Sequence, residues 1–166
     1  MTNLRKDGVK NMYKKIMVPL DGSKLAECVL PHVESLVKAG QVAELVFVRI
    51  VEPYSFSLMS GEQFPKSDDI VRFDAEARAV AEKYVQTVAD RAKSNGVTVR
   101  GEVLIGRPSI KLAEYANAGG FDLVIIATHG RSGVSRWVWG SVADRLLRAV
   151  CVPILMVRAP GCVPGI

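Results

Sequence analysis

The stretch that decides the fold is Leu123-Val124-Ile125-Ile126-Ala127-Thr128-His129-Gly130-Arg131-Ser132-Gly133, running on to Trp139-Gly140-Ser141-Val142. Its first part is short, apolar and rich in β-branched residues, and glycines follow at once, so Leu123–Ala127 reads as a buried strand. The loop carries Gly130 and Gly133 with Arg131 between them, and Gly140-Ser141 then opens a helix at Val142. No acidic residue occurs from Leu123 to Val142. Backbone N–H groups at a helix N-terminus are unpaired, and small residues let a phosphate approach them closely. Strand, glycine loop and helix start together read as a phosphate cradle.

Working outward, the same alternation recurs. Ile16–Leu20 is a short apolar strand, and a helix is expected from about Ser23 to Lys38, with Val29, Val33, Leu36 and Val37 on one face. Pro31 falls inside that helix and is expected to kink it. Leu45–Val51 is a second buried strand, and Glu52 to about Asp69 reads as an irregular insertion containing Pro53, Gly61 and Pro65. Phe73, Ala77, Val80, Tyr84, Val88 and Ala92 then recur at helical spacing, with Asn95-Gly96 as the stop. Val97 to Ile105 alternates as a strand, Pro108 starts a helix that Gly119-Gly120 ends, and Ile154–Val157 closes the chain as a last strand. Strands alternating with helices imply right-handed crossovers and a mainly parallel sheet covered on both faces.

The glycine loop matches neither a Walker sequence nor a Gly-x-Gly-x-x-Gly turn. Nine residues separate Gly130 from Gly140, and Ser141 follows. In this the chain resembles the universal stress protein family, whose nucleotide-binding members read Gly, two residues, Gly, nine residues, Gly, then Ser or Thr. Ala127 stands where the first of those glycines is expected. The resemblance extends to Lys14-Lys15-Ile16-Met17-Val18-Pro19-Leu20-Asp21-Gly22-Ser23, to Gly106-Arg107-Pro108 and to Val152-Pro153-Ile154-Leu155-Met156-Val157. It covers about Tyr13 to Arg158, leaving 1–12 as an N-terminal extension, 13–158 as the domain and 159–166 as a tail. It implies a single open five-stranded α/β sheet of order 3-2-1-4-5, Rossmann-like and of the adenine nucleotide hydrolase-like kind. It also implies a homodimer through the C-terminal strand, Ile154–Val157.

Bulk properties narrow the field. The 166 residues suit one domain with a proper core, and 49% hydrophobic residues argue for a globular chain. No secretory signal and no membrane-length apolar run is visible, and three cysteines (Cys28, Cys151, Cys162) lack metal or redox spacing, so a reducing cytoplasm is expected. The net charge of +5 is spread along the chain except for Arg5, Lys6, Lys10, Lys14 and Lys15 near the start. Without aromatic–basic interleaving it describes a solvated surface and a tail rather than a nucleic-acid interface.

In parallel sheets ligands bind beyond the strand carboxyl ends, where the strand order reverses. Order 3-2-1-4-5 puts that switch between the first and fourth strands, so Asp21 and His129-Gly130 meet at one crevice. Asp21 can accept hydrogen bonds from ribose hydroxyls or an adenine amino group; its plainer role is to cap the next helix, which Ser23 is equally able to do. Ser141-Val142-Ala143-Asp144 has the form of a helix N-terminus, so Ser141 is a cap, a phosphate contact or both, and Asp144 is expected to point away from a bound phosphate. Arg131 and Arg136 are either bidentate phosphate donors or surface charges. His129 has no catalytic partner in any motif and is read as ordering the loop, His32 as a surface residue, and Trp137 and Trp139 as packing or interface residues.

The resemblance implies an adenine nucleotide, ATP or AMP, with Mg or Mn accompanying the phosphates. Nucleoside contacts fall on Pro19, Leu20, Asp21, Ile50 and Ala127, and phosphate contacts on His129, Gly130, Arg131, Gly133, Gly140, Ser141 and Val142. The alternative is a family member that binds no nucleotide and acts through contacts with a signalling partner, which Ala127 favours. Slow ATP hydrolysis is the weaker reading, since no general base or dedicated metal-ligand cluster is visible.

Overall fold

The computed structural model describes residues 12–40, 42–54, 67–128 and 141–158. Five strands alternate with helices: β1 (Lys15–Pro19), a 3-10 turn (Ala26–Val29) leading into α1 (Leu30–Lys38), β2 (Glu44–Val51), α2 (Ser67–Arg91), β3 (Thr98–Ile105), α3 (Pro108–Ala118), β4 (Leu123–Ala127), α4 (Ser141–Ala149) and β5 (Ile154–Val157). The strands pair in parallel in the order β3-β2-β1-β4-β5, the order that the resemblance implies.

The sheet is apolar on both sides because both are covered. Successive strand residues face opposite ways. Ile16, Val18, Leu45, Phe47, Leu123 and Ile125 pack with Val29 and Val33 beside α1 and with Val88 and Ala89 of α2. Met17, Val46, Val48, Val124 and Ile126 pack instead with Leu112 and Ala116 of α3 and Ala143 and Leu146 of α4. Phe47 is fully buried, a burial that stabilises the fold by about 1.5–3 kcal/mol. At Gly101 of β3 an added Cβ would lie 2.8 Å from Val85 Cγ2, so the missing side chain is what lets α2 lie close on that strand.

Three sequence expectations are corrected. Pro31 does not kink a long helix; it occupies the first turn of α1, where its missing N–H is no loss, and the residues before it form the 3-10 turn instead. The buried stripe of α2 is Ala81, Val85, Val88 and Ala89, while Phe73 and Val80 are exposed at 40% and 62%. Of the expected stripe, Tyr84, Val88 and Ala92 do pack on the core, joined by buried Ala81, Val85 and Ala89, so the correction concerns the first half of the helix alone. Finally, α2 begins at Ser67, inside the stretch read as an irregular insertion; residues 55–66 of that stretch lie outside the described residues.

Charged side chains tie the strands together where they begin. Glu44 pairs with Lys15 at 3.2 Å and with Arg100 at 3.0 Å, while Arg100 also pairs with Glu102. Burial pushes the Glu44 carboxyl up, but hydrogen bonds and charge from Arg100 and Lys15 outweigh it and hold the group below the ordinary glutamate value. A depressed folded pKa adds stability above the unfolded value of about 4.3, and that stability disappears as pH falls through the folded pKa. Glu44→Gln is therefore expected to be less stable than wild type at neutral pH, by about 1 kcal/mol or less given partial exposure, with the gap closing in acid. Urea unfolding at pH 7 and pH 3 checks this; an equal gap at both would remove the carboxylate from the account.

Candidate functional site

The first and fourth strands part at their carboxyl ends. β1 pairs with β4 only at Ile16↔Leu123 and Met17↔Val124, although the strands continue to Pro19 and Ala127. Beyond that point each chain bonds to its outer neighbour. The Leu20 N–H donates to the Val48 carbonyl of β2 at 2.8 Å, and the Thr128 N–H donates to the Val157 carbonyl of β5 at 2.9 Å. This parting marks the topological switch point, the candidate crevice, because open parallel sheets bind ligands there.

One wall is the turn after β1. The Asp21 Oδ1 accepts the Ser23 N–H at 2.9 Å, and the Ser23 Oγ accepts the Ala26 N–H at 3.1 Å. Of the two residues able to serve the following turn, Ser23 bonds to it, and the Ser23 amide is held by the Asp21 carboxylate. Gly22 between them has φ 85°, in the left-handed region that favours glycine. Pro19 and Leu20 are buried, and the Leu20 side chain belongs to the core beside α1, so what Leu20 offers the crevice is backbone.

The opposite wall is the end of β4. Ala127 is only 8% exposed, and its methyl group packs in the core cluster that includes Leu20, Ala26 and Val29. Its neighbour Ile126 faces the α3–α4 side, as do half-buried Ile50 and Val142. The added methyl therefore lies on the face of the sheet away from α4. Helix α4 starts at Ser141, which is exposed. Asp144 in its first turn is bound by Arg148 one turn later, with Nε–O distances of 3.1 and 3.2 Å, so a guanidinium faces its charge. His129, Gly130, Arg131, Gly133, Arg136, Trp137, Trp139 and Gly140 lie outside the described residues. His32 is exposed on α1.

Sequence reasoning missed Arg49, which stands half-buried near the end of β2 with its guanidinium against Gly22. The signal was present: Arg49 is the one charged residue in the otherwise apolar run Leu45–Val51. Among the described residues, no group of three or more His, Cys, Asp or Glu side chains is placed to hold a metal ion. A cleft of about 250 Å³ between α1 and α2, over Leu45 and Phe47, lies away from the crevice. Lys38, Arg91 and Lys93 on its rim are paired with Glu34, Glu27 and Asp90. The switch point, where topology and hydrogen bonding converge, is the candidate site.

A parallel sheet of this order, split at its switch point and faced by a helix start, defines a Rossmann-like α/β domain. The family model of the universal stress protein family matches residues 12–158, and the chain belongs to that family. It is 27% identical to Universal stress protein MJ0531 of Methanocaldococcus jannaschii over 152 residues, covering 91% of this chain and 85% of that one. The solved structure of protein MJ0577 from the same organism superimposes with a TM-score of 0.78 at 21% identity, covering 90% of this chain and 99% of the other. A universal stress protein family member from Arabidopsis thaliana, solved with AMP bound, gives 0.62 at 10% identity, covering 89% and 93%. No helix among the described residues is long and apolar enough to cross a membrane.

Proposed function

We propose that this protein binds an adenine nucleotide, ATP or AMP, as a regulatory ligand in a cytoplasmic stress response. The observation that carries the reading is the direction of the Ala127 methyl group. Ala127 was the feature that favoured a member without nucleotide. With its methyl packed among Leu20, Ala26 and Val29, it takes no room on the α4 side, where the phosphates would lie. The nucleoside then sits beside Pro19, Leu20, Asp21, Ile50 and Ala127. Phosphates lie over His129, Gly130, Arg131, Gly133, Gly140, Ser141 and Val142, with the unpaired N–H groups of the first turn of α4 as donors. Mg or Mn arrives with the phosphates, held chiefly by their oxygens. The AMP-bound relative supports the ligand class. The protein acts as a homodimer joined through β5.

Calorimetry and thermal melts with millimolar ATP, ADP and AMP test the ligand. A molecule that binds only the native state stabilises it by about 2.7 kcal/mol at a hundredfold excess over its Kd, so a rise in melting temperature is expected. Neither heat nor a shift with any of the three would favour the nucleotide-free alternative, acting through a protein partner.

A further inference from the structure

The Asp21 turn rests on a polar stack that reaches across to α2. A Cβ built on Gly22 would lie 2.9 Å from Arg49 Nη1 and 3.1 Å from its Cζ, so the guanidinium lies directly against the turn. The Arg49 Cζ is also 5.3 Å from the centroid of the Tyr84 ring, within cation–π range. Tyr84 donates its hydroxyl hydrogen to Glu27 Oε1 at 3.0 Å, and Arg91 Nη2 holds the other Glu27 oxygen at 3.3 Å. Burial first, and then the hydrogen bond and charge of Glu27, push the Tyr84 hydroxyl well above the ordinary tyrosine range, so it stays a donor.

The strand period places this stack behind the site rather than in it. Ile50 packs on the α3–α4 side, so Arg49, one residue earlier, faces the α1–α2 side with Phe47. A guanidinium is planar and suits stacking between a ring and a glycine backbone, which a lysine ammonium does not. We infer that Arg49 is a positioning residue: set against Gly22 and within cation–π range of the Tyr84 ring, it holds the Asp21–Gly22–Ser23 turn in its ligand-ready shape and couples that turn to α2. The ligand consequence rests on the nucleotide reading above; the mechanical one does not.

The test separates the two. Amide hydrogen exchange of Ser23, whose N–H is held by Asp21, reports the turn without any ligand. In Arg49→Ala it is expected to quicken about tenfold while Val46 and Ile125 in the central strands stay protected. Tyr84→Leu, which removes the ring but leaves Arg49, is expected to do the same. Ser23 exchange within twofold of wild type in both variants overturns the inference. So does a quickening shared equally by Val46 and Ile125, because that reports general loosening. If wild type binds ATP, Arg49→Ala is expected to raise its Kd about tenfold; an unchanged Kd sinks the coupling to the ligand. If wild type binds no nucleotide, the functional reading fails, and Ser23 exchange alone decides the strut.

Discussion

Asp21→Ala is expected to weaken ATP binding about tenfold to a hundredfold, and Gly140→Val to abolish it at millimolar nucleotide. A hydrogen bond to a charged group contributes about 1.5–3 kcal/mol, and each 1.4 kcal/mol is tenfold in affinity. Asp21 also accepts the Ser23 amide, so its removal loosens the turn as well as deleting the contact. Asp21→Asn divides the two effects. The amide oxygen still accepts from Ser23, and only the charge is lost, so this variant should fall between wild type and Asp21→Ala. Gly140 immediately precedes the first residue of α4, where a phosphate must come close to the backbone. A β-branched side chain there blocks the approach and restricts the backbone. Calorimetric titration beside far-UV circular dichroism checks both. Wild-type affinity in Asp21→Ala and Gly140→Val, with unchanged spectra, would remove these residues from the site.

The parallel pairing and the two-sided core were legible because β1, β2, β4 and β5 are apolar runs, β3 alternates, and the crossovers carry helices or start–stop pairs such as Pro108 and Gly119-Gly120; the strand order came from the family resemblance. The site was less legible. Sequence places Asp21 and Ala127 at strand ends, but strand period alone did not say which face the Ala127 methyl takes; packing with Leu20 and Ala26 decides it. Arg49 was passed over because a lone cation in a strand carries no motif, and its meaning lies in Gly22 and Tyr84, both distant along the chain. The α2 stripe was legible in its second half, where Tyr84, Val88 and Ala92 pack on the core, and not in its first, where Phe73 and Val80 are exposed. Helical spacing shows which residues share a face but not how much of the helix the sheet covers.

Light scattering is expected to find wild type dimeric and Met156→Pro monomeric and folded. β5 lies at the edge of the sheet, with Leu155 38% exposed. Its outward face can be worked out from its ladder. The carbonyls of Pro153 and Val157 accept from Val124 and Thr128, so the odd-numbered residues turn their backbone groups toward β4. Ile154 and Met156 therefore present their N–H and C=O groups outward. Such an edge is an open template, and a two-fold axis lets the strand pair antiparallel with its own copy, satisfying those groups on both chains. Proline at 156 removes one outward donor and leaves the β4 ladder whole, a position where edge strands tolerate it. Proline at 155 would instead break a bond to β4 and confuse unfolding with dissociation. The alternative is a monomer in which the tail from Gly161 to Ile166 covers the edge instead. A monomeric wild type would support that cover, and a folded, dimeric Met156→Pro would place the interface elsewhere; either result sinks pairing through β5.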